Sequence, residues 1–186
     1  MSISPSYSFI AGDRGSWEVC SMLPLIGQPL EPAPFFEIRN EYLMRVPVDF
    51  RWLLRGVTSH QRFANTSKES CQMLPLPQLG RLGATCAAFI PLKKKQAWWE
   101  LSEQEKLEIY SGDPLKTASS LRNFQGIANQ LHHSRDLGEP FDFLAWFEYK
   151  PEEAGAFEEM VACLRASEEW RYVEREVDVR LVKRVA

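Results

Sequence analysis

His133 stands beside His132 and three residues before Asp136, and on a helix that spacing puts imidazole and carboxylate on one face, as a metal site needs. No third or fourth ligand accompanies them at zinc-type spacing, so no metal site is assigned, and His60 stands apart. Cys20, Cys71, Cys86 and Cys163 form no CxxC pair and no disulfide framework, and they read as reduced core thiols. Lys116 follows Asp113-Pro114, a helix start in which Asp113 suits the N-cap and Pro114 the first helical position. The positive end of a helix dipole disfavours an ammonium there. A buried Lys116 with a lowered pKa is a base or an amine nucleophile, whereas a carboxylate within reach holds it as a cation. The run Lys93-Lys94-Lys95 reads as a strand end with at least two lysines in solvent, and Trp98 and Trp99 beyond it read as packing aromatics.

The elements that must position these residues follow from periodicity and punctuation. Strands are expected at Tyr7 to Ala11 and Trp17 to Leu23, around the turn Gly12-Asp13-Arg14-Gly15. Pro24 to Pro34 reads as a loop, Trp52 to Thr58 as a strand, and Ser59 to Ser70 as a weakly helical segment. Ala84 to Leu92 is apolar on both faces, as a strand covered on both sides is. Ser102 and Glu105 form a capping box for a helix through Tyr110. A second helix from Pro114 carries Leu121, Phe124, Ile127, Ala128 and Leu131 and ends near Leu137-Gly138, which places Asn129, His132 and His133 on it. Phe141 to Tyr149 alternates as a strand, Pro151 opens a helix through Arg165, and Glu174 to Val185 alternates again, with Val177, Val179 and Leu181 inside and Glu176, Asp178 and Arg180 outside. This order predicts an α+β fold with an antiparallel sheet.

Composition excludes several classes. The 186 residues, 45% hydrophobic, are enough for a real core, and the formal charge of −3 carries no footprint for nucleic acid. No run reaches a membrane span and the first residues lack an export pattern, so a cytoplasmic protein is expected.

The blocks GEPFDFLAWFEY at Gly138 to Tyr149 and ASEEWRYVEREVDVRL at Ala166 to Leu181 resemble the short-chain branch of the chlorite dismutase family. LRGVTSH at Leu54 to His60, AAFIPLKKKQAWWE at Ala87 to Glu100 and HHSRDLGEP at His132 to Pro140 extend the resemblance over nearly the whole chain. It implies a ferredoxin-like dimeric α+β barrel and a homodimer. Residues 1–78 would form a reduced N-terminal half, and residues 79–186 a complete C-terminal half holding haem b. Family roles then fall on Lys116 (the iron-ligating histidine), Glu169 (the carboxylate bonded to it), Lys94, Trp98 and Trp99 (the haem edge) and Asn129 (the distal arginine).

Two of those roles are held by a different residue type. Iron needs a neutral donor, and keeping a lysine of pKa about 10.4 neutral at pH 7 costs roughly 4 to 5 kcal/mol. An ion pair from Lys116 to Glu169 is the expected arrangement. Asn129 lacks the charge and donor fork with which an arginine holds an oxyanion. The resemblance thus implies a chlorite-dismutase-like protein using Lys116, Asn129 and Glu169 on another small molecule. Two alternatives stay open: a haem-dependent oxidoreductase with non-standard iron ligation, and a non-catalytic dimeric binding module. Whether the chain is an enzyme stays open with them.

Overall fold

Alternation of apolar side chains at period two produces eight strands in the computed structural model, which describes residues 6–58, 77–112 and 124–184. They are β1 (Ser6–Gly12), β2 (Trp17–Ile26), β3 (Phe35–Arg39), β4 (Phe50–Thr58), β5 (Cys86–Lys94), β6 (Ala128–His133), β7 (Phe143–Tyr149) and β8 (Val173–Lys183). The order β1-β3-β2-β8-β5-β7-β6-β4 closes into a barrel of antiparallel neighbours. The first four strands meet the last four at two seams. One is the long pairing of β2 with β8, from Trp17↔Lys183 to Ile26↔Glu176. The other is the short pairing of β4 with β6 at Val57↔His133 and Thr58↔His132. Closure leaves no strand edge exposed, which is how an all-antiparallel sheet avoids edge association.

The interior is aromatic. Phe9 stacks on Phe89 with ring centroids 4.9 Å apart, Phe36 stacks on Trp146 at 5.7 Å, and Trp17 meets Trp146 edge-on. The outer face of β5, β7 and β6 carries a second apolar layer with Ala88, Ile90, Leu92, Ala145 and Phe147. Helix α3 (Ala154–Ala166) lies on that layer through Phe157, Met160 and Val161, and Phe157 stacks on Tyr149 at 4.4 Å. Two shorter helices, α1 (Gln96–Glu100) and α2 (Glu103–Ser111), follow β5. The capping box at the head of α2 forms as expected, with Ser102 accepting from the Glu105 amide and Glu105 accepting from the Ser102 amide.

Several expectations are corrected. Ile127, Ala128 and Leu131 fit a helical stripe, yet Ala128–His133 is strand β6. Its ladder to β7 runs from Ala128↔Glu148 to His133↔Phe143 and closes the barrel, and that pairing overrides the weak local pattern. Asn129, His132 and His133 are therefore strand residues, and Asp136 lies beyond them in a 3-10 turn at Arg135–Leu137. Consecutive strand residues face opposite sides, so the two histidines do not share a face. β2 continues through Pro24, into the stretch expected to be a loop, beside a register shift between Pro24 and Ile26. Glu176 and Asp178 point away from the barrel interior but are buried, bonded to Arg165 of α3 at 2.6 to 2.8 Å. Cys20 is exposed rather than in the core. The segment Ser59 to Ser70, Cys71, Asp113, Pro114 and Lys116 lie outside the described residues. Among the described residues, no helix is long and apolar enough to cross a membrane.

Gly56 of β4 makes room for an imidazole: a Cβ built there would sit 2.6 Å from the His132 Cβ. Gly56→Ala is expected to destabilise the fold by about 1 to 3 kcal/mol, the cost of overpacking a tight interior, read as a lowered urea midpoint at unchanged m. A midpoint equal to that of the parent chain would contradict the close approach.

Candidate functional site

Lys94 is the last residue of β5, and by alternation it shares the helix-covered face with Ala88, Ile90 and Leu92. The β5–β8 register shifts between Lys93 and Lys94, where Glu174 of β8 is the extra residue. Its ammonium reaches Glu169 Oε1 at 2.7 Å, with the Lys94 side chain 1% exposed and that of Glu169 23% exposed. Glu169 is held in the 3-10 turn Glu168–Tyr172, which follows α3 directly. The same ammonium lies 4.6 Å from the Trp98 ring centroid and 5.8 Å from that of Trp170, a cation on two aromatic faces. The Lys94 amide donates to Asp142 Oδ2 at 2.7 Å. Burial pulls the Lys94 pKa below the ordinary lysine value, against the upward pull of Glu169 and Asp142. Its neighbours in the run divide as the sequence predicts: Lys93 pairs with Glu174 and Lys95 donates to the Arg171 carbonyl, both at the surface.

Trp98 is enclosed by protein, and Trp99 is half-buried. Trp98 is 2% exposed and meets Tyr110 and Tyr172 at centroid distances of 5.7 and 5.4 Å, besides Lys94. Trp99 stacks on Phe143 at 6.0 Å, and the Arg135 guanidinium lies 3.6 Å from its centroid. The Lys94 ammonium thus lies over the Trp98 ring, and Phe143 and Arg135 contact the Trp99 ring.

Asn129 sits at the other end of the same sheet face. Opposite Phe147 on β7, it falls in one row with Ala88 of β5, and its side chain is exposed. Lys94 is six residues further along β5 than Ala88, a separation of roughly 20 Å along the strand. Between them run Leu92, Ile90, Ala145 and Leu131, an apolar floor. The structure therefore unites Lys94, Glu169 and Trp98 in one cluster, places Trp99 against Phe143 and Arg135, and leaves Asn129 at the far end of the floor. Lys116, assigned to the same site from the sequence, lies outside the described residues. The link from Lys94 to Glu169 and the share of Trp170 in it were not read from the sequence; the only available signal was that all three residues fall in blocks carrying the resemblance.

The described residues place an ammonium, not an imidazole, against Glu169. His132 is turned to the barrel interior, where its Nδ1 lies 3.3 Å from the Leu144 carbonyl oxygen, and His133 meets Phe143 edge-on. Among the described residues, no group of three or more His, Cys, Asp or Glu could hold a metal ion.

No protein-family model matches the chain. A chlorite dismutase from Ideonella dechloratans is 26% identical over 166 residues, 74% of this chain and 54% of the relative, so the chain spans about half the length of that curated relative. Among solved structures, that of dimeric chlorite dismutases from Nitrobacter winogradskyi is 43% identical with a TM-score of 0.80, covering 96% of this chain and 99% of the other. A chlorite dismutase variant from Candidatus Nitrospira defluvii, 16% identical with a TM-score of 0.65 over 98% of this chain and 93% of the other, shares the fold.

Proposed function

The chain belongs to the chlorite dismutase family, and we propose that it is a member whose haem pocket has diverged, no longer dismutes chlorite and serves another small molecule. The observation that carries this reading is Asn129, an uncharged amide where the family resemblance assigns an oxyanion-holding arginine. An amide offers an oxyanion a neutral hydrogen bond in place of a bidentate charged one. Lys116 in place of the iron-ligating histidine supports the same conclusion, because a protonated amine has no lone pair for iron. In this reading Lys116, Asn129 and Glu169 are the polar groups of the pocket, and Lys94 with Trp98 and Trp99 is its supporting wall.

The test is spectroscopic and kinetic. Purified after expression with haem supplied, the protein is expected to show no Soret band and to release no oxygen from chlorite above the buffer background. A Soret band at one haem per chain would overturn the reading in favour of an oxidoreductase with non-standard iron ligation.

A second reading, a non-catalytic binding module, is favoured by the burial of Trp98 within the chain. The double variant Lys116→His, Asn129→Arg separates the two. Acquired haem binding indicates an open pocket that lost its ligand, and a folded double variant without haem supports the collapsed module. We further propose a homodimer, since the relative from Nitrobacter winogradskyi is described as dimeric. Light scattering is expected to return twice the 21.4 kDa chain mass.

A further inference from the structure

The two halves of the barrel are covered unequally on the outside. Helix α3 covers the outer apolar layer of β5, β7 and β6. Ser8 of β1 and Arg55 of β4, a cross-strand pair on the outer face of the other half, are met instead by residues 40–49, a strap without regular structure that joins β3 to β4.

The barrel holds this strap by its backbone. Ser8 Oγ donates to the Glu41 carbonyl at 2.7 Å and accepts from the Leu43 amide at 3.0 Å. Arg55 donates to the Leu43 and Met44 carbonyls and is itself held by Glu139 at 2.5 Å. At the far end the Asp13 amide donates to the Asp49 carbonyl at 2.8 Å. Fixed from beneath, the strap turns apolar side chains outward: Tyr42 and Val46 are 44% and 43% exposed, and Met44 and Val48 are 81% and 82% exposed. These four are gathered within seven positions, out of nine large apolar residues exposed among the described residues. Such a concentration marks an interaction site, where single exposed apolar residues mark nothing. Docking on a segment that is already ordered costs little conformational entropy.

The charges around the patch select its partner. Arg39 pairs with Glu41 and Arg14 with Asp49, each at 3.6 Å, and Arg51 pairs with Asp13 at 2.7 Å. An anionic membrane or a nucleic acid needs an uncompensated basic surface, which paired arginines do not offer. A rim carrying both signs is complementary to its own copy turned about a twofold axis, with arginines facing carboxylates around an apolar centre.

We propose that residues 40–49 form the apolar centre of the contact between two copies of this chain, with Met44 and Val48 buried in it and the surrounding arginines and carboxylates as its rim. This rests on the homodimer proposed above and adds the surface that makes it.

Sedimentation velocity over a dilution series tests both. The variant Met44→Glu, Val48→Glu sets like charges against each other in the contact and is expected to weaken dimerisation at least about a hundredfold. The control Leu23→Glu, Leu25→Glu, on the exposed apolar pair of β2, is expected to leave it unchanged. In the parent dimer the Met44 methyl, assigned by its loss in Met44→Leu, is expected to be shielded from a soluble paramagnetic agent. An undiminished dimer of the folded strap variant, dissociation by the β2 variant, or a Met44 methyl open to the agent in the parent dimer would each overturn this interface and leave the homodimer standing. A parent chain that is monomeric throughout would overturn the homodimer and the interface with it. Should the strap variant fail to fold, the Met44 methyl of the parent still decides.

Discussion

Glu169→Leu is expected to lower folding stability by about 3 kcal/mol, because it leaves the Lys94 ammonium buried without its carboxylate. The magnitude is set at the low end for a broken buried pair, since Glu169 is itself partly exposed. Adding Lys94→Met should recover most of the loss, as an apolar pair of similar volume replaces a buried ion pair at little cost. Urea unfolding of the parent, both single variants and the double variant gives the coupling. A double variant no more stable than Glu169→Leu would show that the loss comes from packing rather than from the orphaned charge.

The pH dependence has a definite sign. The folded-state pKa of Lys94 lies below that of a free lysine, so at high pH the unfolded chain binds more protons and stability rises with pH through that window. Without Glu169 the upward pull on that pKa is lost, and the window opens at lower pH. The stability difference between Glu169→Leu and the parent should therefore shrink as the pH is raised from 7 towards 10. A difference independent of pH would contradict the assignment of the cost to the ammonium.

The second large effect belongs to His132. Burial depresses its pKa to about 4, against an ordinary value of 6.5. The groups facing it are the rings of Tyr7 and Phe9 and the Leu144 carbonyl, while His133 beside it pushes the same way as burial. Below pH 6.5 the unfolded chain takes up a proton that the folded chain refuses. The stability from a neutral His132 is therefore whole above pH 6.5 and is lost progressively as the pH falls to about 4. The full loss is about 3 kcal/mol at 1.36 kcal/mol per unit. Denaturation profiles between pH 7 and 4 should be steeper for the parent than for His132→Leu by this amount. Parallel profiles would mean that the imidazole titrates in the fold as it does in the unfolded chain.

Much of the barrel is legible in the chain. β7 and β8 announce themselves by alternation, β5 by a run apolar on both faces, and β1 and β4 as short strand segments, and the Ser102 capping box forms as its letters require. The same blocks carry the family. β6 was the failure: Ala128-Asn129-Gln130-Leu131-His132-His133 is poor in β-branched residues and its apolar positions fit a helical stripe. It is a strand because β7 and β4 offer it partners on both sides. β3, Phe35–Arg39, begins one residue after the Pro24 to Pro34 loop and was assigned no element.

The sequence by itself thus determined the fold class and the family, because periodicity, caps and block resemblance are local properties. Tertiary structure alone decided what those residues touch. Lys94 and Glu169 are 75 positions apart and meet because the end of β5 is held beside the turn after α3, with the Lys95 amide donating to the Tyr172 carbonyl. His132 and His133 are adjacent in the chain yet face opposite sides of the sheet, since strand pairing replaced the helix that would have set His133 and Asp136 on one face. Whether a side chain is buried, paired or left exposed depends on distant segments closing around it, and no local pattern encodes that closure.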